Sequence, residues 1–142
     1  MNQMGVSHGI MLIERHGNKI INLKIPGCRP CFSPDGKQIA WGPGDHEIAT
    51  APIDTDAAEP SVGERRVQIK DDKLKIYHVD WSPDSRYIAY AKPEVMQKQR
   101  IFIYDTGTKQ SRAVTDNWYE SSQPVFSPKG EYLYFVSQRD FN

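Results

Sequence analysis

CFSPDGKQIAW, residues 31–41, reads as an apolar strand, a tight turn and a second apolar strand, and the pattern returns twice. DWSPDSRYIAY fills residues 80–90, and VFSPKGEYLYF fills residues 125–135. The turn serines Ser33, Ser82 and Ser127 are spaced by 49 and 45 residues, a period of the kind that marks repeat architectures. In its fullest form the turn is Ser33-Pro34-Asp35-Gly36. Proline presets φ at the second position, aspartate bonds the nearby backbone, and glycine takes the left-handed position that closes a hairpin with a bulge. Ser85 replaces the glycine in the second copy and Lys129 replaces the aspartate in the third.

The flanks match in register. Phe32, Trp81 and Phe126 precede the turn. After it, Ile39/Trp41, Ile88/Tyr90 and Leu133/Phe135 fall on one face, with Ala40, Ala89 and Tyr134 on the other. Both faces are apolar, so both are expected to be covered. Large side chains opposite mostly small ones suit sheets stacked on like sheets, and all nine large residues are expected to be buried. Two further strand-like runs follow each hairpin: EIATAPI (47–53) and RRVQIK (65–70), then RIFIYD (100–105) and RAVT (112–115). The polar stretch DTDAAEPSVGE joins the first pair as a loop and accounts for the longer first spacing. With the strands of one repeat lettered a to d, the chain reads as strands c–d at 8–25, a full repeat at 26–71, a full repeat at 72–116 and strands a–b at 117–142. No segment carries sustained 3.6-residue apolar periodicity, so no substantial helix is expected.

Repeats of this length opened by x-F-S-P-D-G-K-x-I-A-F resemble the β-propeller repeats of TolB and of the tricorn-type proteases. IFIYDTGTKQSRAVTDN, residues 101–117, is similar to the c–d half of that repeat, and SSQPVFSPKGEYLYFVSQRDFN, residues 121–142, resembles the propeller of tricorn-like peptidases. The glycine-histidine and Trp-Asp signatures of WD40 repeats are absent. The resemblance implies an all-β fold of four-stranded antiparallel blades, about three per chain. Propellers typically use ~4–8 blades, so three do not close a ring. Two chains that complete each other's terminal half-blades make six, and a homodimer is the expected assembly. Its seam is expected to join Ile10, Leu12, Ile21 and Leu23 of one chain to Val125, Phe126, Leu133 and Phe135 of another. The alternative is that the chain is a fragment of the substrate-guiding propeller of a tricorn-like serine peptidase, with its catalytic domain absent.

Composition narrows the remaining classes. Eighteen basic and 18 acidic residues cancel, so nothing electrostatic points to nucleic acid or an anionic membrane. No apolar run approaches the ~20 residues of a membrane span, and the N-terminal sequence lacks the basic start of an export signal. The expectation is a cytoplasmic chain, or a periplasmic one if it derives from an exported parent. Cys28-Arg29-Pro30-Cys31 runs into a strand rather than a helix and has no second cysteine pair, so both thiols are read as structural, with no metal and no cofactor. Gly5-Val6-Ser7-His8-Gly9 fits the G-x-S-x-G pattern, but a strand follows it where a nucleophile elbow needs a helix. HEIAT, residues 46–50, lacks the second histidine of a zinc-protease helix.

The chain is therefore expected to have no enzymatic activity and to bind a protein or peptide through its loops. In propellers the d–a and b–c connections share one face. The d–a connections carry Arg29, Tyr77, His78, Asp116, Trp118, Tyr119 and Glu120, and the b–c connections carry Asp45 and His46. Trp118 and Tyr119, large and amphipathic within a polar loop, are the expected hot spots.

Overall fold

The structure, a computed structural model, describes residues 8–139. Strands β1 (Gly9–Ile13) and β2 (Ile20–Pro26) form a two-stranded sheet. Strands β3 (Cys28–Phe32), β4 (Gln38–Gly42) and β5 (Glu47–Asp54) form an antiparallel meander. The two-residue β6 (Ser61–Val62) pairs the end of β5, and β7 (Arg66–Lys70) completes the blade along the rest of it. Strands β8 (Tyr77–Trp81), β9 (Tyr87–Pro93), β10 (Gln99–Asp105) and β11 (Gln110–Ala113) make a second four-stranded meander. Strands β12 (Ser121–Phe126) and β13 (Leu133–Ser137) form the last pair. Among the described residues there is no α-helix, only a 3-10 turn at Val95–Gln97.

The serine of each turn is the hairpin's staple. Ser33, Ser82 and Ser127 are buried, and each Oγ accepts the backbone N–H five residues on: Gln38 at 2.9 Å, Tyr87 at 2.8 Å and Tyr132 at 3.0 Å. In the first two copies the hydroxyl also bonds the turn aspartate, Asp35 at 2.5 Å and Asp84. Lys129 cannot supply that carboxylate in the third copy. The left-handed position falls on Gly36 (φ 73°), Ser85 (φ 59°) and Gly130 (φ 74°), so only the second copy places a side chain there.

Two apolar layers hold the sheets face to face. Ile39, Trp41, Ala49, Ala51 and Ile53 meet Ile10 and Leu23 of the first pair, with Leu12, Ile21 and Ile25 packed at the margin. On the opposite face of the same blade, Ala40, Ile48 and Ile69 meet Trp81, Ile88, Tyr90, Phe102 and Tyr104 of the next. The small residue at the centre of β4 admits the indole of Trp81, whose Nε1 donates to the Cys31 carbonyl at 3.1 Å. Tyr90 and Phe102 stack across adjacent strands with centroids 5.4 Å apart. The β12–β13 pair lies on the far face of the second blade, and the Phe126 N–H donates to Asp80 Oδ2 at 2.8 Å. Burial there pushes the Asp80 carboxyl above its ordinary range, against the pull of that N–H.

Burial departs from the sequence-based expectation at both ends of the stack. Ile39, Trp41, Trp81, Ile88 and Tyr90 are buried as expected, but Phe32 is 39% exposed and Phe135 40%. Phe126 and Leu133 are half-buried. The physical reason is the neighbour. Trp81 faces a complete blade, whereas Phe32 faces a pair that supplies only c and d strands. Tyr90 is flanked by Phe102 within its own sheet, whereas Phe135 lies on β13, whose outer edge has no strand among the described residues. Ile10, Leu12, Ile21 and Leu23, expected at an intermolecular seam, pack inside the chain instead. The side chains left open at the first pair are Met11, Ile13 and Ile20, and at the last pair Val125, Tyr132, Tyr134 and Val136. The stretch expected as a loop also contains β6, because Val62 extends the ladder and covers Ile53.

Candidate ligand face

Each a strand begins with the same distortion. Between Cys28 and Cys31, Tyr77 and Asp80, and Ser122 and Val125 the pairing register slips, and the residue that absorbs the slip is left-handed: Arg29 (φ 58°), His78 (φ 54°) and Gln123 (φ 54°). These residues are separated by the same 49 and 45 positions as the turn serines, so the β-bulge belongs to the repeat. It turns a polar side chain out of the ladder at the loop end of every blade. Burial and the Arg29 charge hold His78 below the usual histidine range, which favours neutral imidazole. The bulge also separates Cys28 from Cys31, which are free thiols, and burial pushes the Cys31 thiol up.

The b–c and d–a connections lock together. Arg29 Nη2 donates to the Gly44 carbonyl at 3.3 Å, the Ile76 N–H to the Asp45 carbonyl at 2.7 Å, and His46 Nδ1 lies 3.0 Å from the Leu74 carbonyl. Asp45 pairs with Lys75 at 3.4 Å. In the next blade Lys98 Nζ donates to the Trp118 carbonyl at 2.8 Å, the Gln99 N–H to Glu120 Oε2 at 2.8 Å, and Arg100 donates twice to the Thr115 carbonyl. Asp116 accepts the Trp118 N–H at 3.0 Å and an Arg139 N–H at 2.9 Å, and the Arg139 guanidinium sits 5.1 Å above the Tyr119 ring.

The sequence-predicted residues therefore divide in two. Asp45, His46, Asp116 and Glu120 hold loops, and Tyr77 lies beside His78 with ring centroids 6.2 Å apart. Trp118 is held only by its backbone, and its indole is 76% exposed, with Tyr119 42% exposed beside it. Met96, on the loop bonded to this one, is 82% exposed. The sequence reading missed Met96, Gln123, Lys98 and Arg139. Gln123 was accessible from the repeat spacing; the others follow from loop packing, which carries no sequence signature.

Three buried side-chain polar atoms among the described residues have no hydrogen-bond partner: Arg29 Nε, Gln99 Oε1 and Ser121 Oγ. All three stand at the loop ends of their strands, on the face that carries Trp118. Among the described residues no histidine is hydrogen-bonded to a serine or cysteine, as a nucleophile–base pair requires. Gly5, Val6 and Ser7 of the G-x-S-x-G match lie outside the described residues. Among the described residues no helix is long and apolar enough to cross a membrane.

No family model matches the chain. The tricorn protease homolog of Saccharolobus solfataricus is 35% identical over 132 residues, covering 92% of this chain and 12% of that protein. Among solved structures, the tricorn protease matches with a TM-score of 0.68 at 22% identity, over 87% of this chain and 12% of that one. TolB from Acinetobacter baumannii matches at 0.65 and 19% identity, over 91% of this chain and 32% of that one.

Proposed function

We propose, from the premise that these are β-propeller repeats of the TolB and tricorn type, that the chain is a non-catalytic binding and scaffold module. Its ligand is an extended protein segment or peptide received on the loop face. The observation that carries this reading is the exposure of Trp118, Tyr119 and Met96 on two loops tied together by the Lys98–Trp118 hydrogen bond. Exposed aromatics on hydrogen-bonded loops suit hot-spot anchors. A fluorescence-anisotropy screen of labelled extended peptides tests it. Peptides bound by the native chain should lose about tenfold or more in affinity on Trp118→Ala, as removal of an anchor worth ~1.4 kcal/mol or more entails, with thermal stability unchanged. Binding untouched by Trp118→Ala and by Met96→Ala would remove the loop face from the account.

A second reading is favoured by the 35% identity to a tricorn protease homolog: the segment guides substrate toward a peptidase centre carried by other sequence. Under either reading the chain itself does not hydrolyse fluorogenic peptides.

A further inference from the structure

The two complete blades do not close on each other at the end that carries the a–b and c–d turns. A cleft of about 370 Å³ opens there, lined by Thr50, Pro52, Arg66 and Gln68 of the first blade and by Trp81 and Ser85 of the second. Strand register fixes which residues look into it. Ala40, Thr50 and Arg66 form one transverse row of the first blade, and Ala89, Ile103 and Arg112 form the same row of the second. Ala40 faces the second blade, so Thr50 and Arg66 share that face. The repeat thus keeps the alanine and the arginine and puts a threonine, 4% exposed, where the other blade has isoleucine. A buried hydroxyl in an isoleucine position is tolerated only with a hydrogen-bond partner.

That partner is Gln68, whose own orientation two other residues set. The Tyr104 hydroxyl and the Lys109 ammonium donate to Gln68 Oε1 at 2.9 and 3.2 Å. An ammonium cannot accept, so the amide nitrogen of Gln68 is the atom that donates to Thr50 Oγ1 at 2.9 Å. Thr50 accepts in this bond and keeps its own proton to donate. Ser85 is in the same condition, since its Oγ accepts the Asp35 N–H at 3.3 Å. Arg66, exposed at the rim, is the only charged side chain of the lining, and the ion pairs among the described residues leave it out. The carboxylates of the adjoining turns are engaged elsewhere. Asp35 is held by Ser33 and the Lys37 N–H, Asp84 by Ser82 and the Arg86 N–H, and Asp105 by the Arg86 guanidinium. The cleft therefore offers donors and one cation, with no carboxylate, beside an apolar wall of Trp81 and Pro52.

We propose that this cleft binds a small organic carboxylate, with its oxygens on Arg66, Thr50 and Ser85 and its apolar body against Trp81 and Pro52. A guanidinium matches a carboxylate in shape as well as charge, and the two hydroxyls add donors from either blade. The volume stands at the low end of small-molecule sites, which suits a ligand of a few carbons with one charged group. The second blade supplies the contrast. Its recess beside Arg112 is lined by Tyr87, Ile103 and the Asp105 carboxylate, which repels an anion. One site is therefore expected, not two. It lies at the opposite strand ends from the Trp118 loop and is independent of the ligand reading above.

Titration of the isotope-labelled full chain with benzoate, followed by nuclear magnetic resonance, tests the proposal. The amide signals of Thr50, Gln68 and Ser85 should shift and saturate at millimolar benzoate or below, and benzamide, its neutral counterpart, should leave them in place. Arg66→Gln should weaken benzoate about tenfold and Thr50→Val by a smaller factor, while Arg112→Gln leaves the affinity unchanged. The absence of a saturable shift at these amides overturns the proposal, as does equal binding of benzamide or benzoate binding that Arg66→Gln does not weaken. If Thr50→Val fails to fold, Arg66→Gln at the exposed rim decides. An N-acetylated dipeptide acid that binds the same amides more tightly than benzoate, while its C-terminal amide does not bind, overturns the small-ligand assignment in favour of a peptide terminus.

Discussion

The second and third hairpins share a turn, a serine staple and an apolar pattern, yet they live in different surroundings. Ile88 and Tyr90 are buried between a complete blade and their own c strand; Leu133 and Phe135, at the same positions of the repeat, are half-buried and exposed. The third hairpin keeps the same apolar pattern, with Leu133 and Phe135 close in size to Ile88 and Tyr90. The difference teaches that a propeller strand owes its burial to the sheet beside it and to the next strand of its own sheet. A repeat of this kind is stable in proportion to its neighbours.

The largest test of that contrast is a pair of core deletions. Trp41→Ala removes a fully buried indole whose Nε1 also donates to the Pro26 carbonyl at 3.2 Å, and should cost about 3–5 kcal/mol in denaturant unfolding. Phe135→Ala, measured where the chain is monomeric, should cost about 1 kcal/mol or less, because little surface is covered there. Equal losses at the two sites would break the comparison.

A medium effect is expected at the staples. Ser82→Ala leaves the Tyr87 N–H and the Asp84 carboxylate without their buried partner and should cost about 1–3 kcal/mol by thermal or urea melting. Ser127→Ala should cost less, about 1 kcal/mol, since Lys129 has already removed the carboxylate and only the Tyr132 N–H loses a partner. A greater loss in the third hairpin would show that the staple, not the neighbouring blade, governs its stability.

Much of this was legible in the residues. The repeat of Ser33, Ser82 and Ser127 placed every hairpin, and the intervening apolar runs gave four strands per period in the order observed. Burial at Phe32 and Phe135 was not legible, because alternation tells which face a residue occupies and not whether a sheet covers that face. The two-residue β6 was hidden in a polar stretch, where Val62 alone carries an apolar signal. The bulges at Arg29, His78 and Gln123 left no turn residue to mark them, although the repeat spacing aligns all three. Trp118 and Tyr119 are exposed, as their place in a polar loop suggests, but Asp116 and Glu120 fasten loops, a role visible only once Arg139 and Gln99 are placed beside them.

The smallest effect sharpens the comparison from the turn side. Ser85 carries a left-handed φ of 59° where the other two copies have glycine, so Ser85→Gly should raise stability by about 0.5–1 kcal/mol, offset in part by the unfolded-state freedom of glycine. The melting midpoint reads this directly, and Gly130→Ser should move it the opposite way.

Native-state hydrogen exchange tests most directly whether neighbours rather than repeat sequence set stability. In the native protein the ladder amides of β8–β9 should exchange only through global unfolding, and the matching amides of β12–β13 should exchange orders of magnitude faster through local opening. Equal protection of the two hairpins would contradict the account.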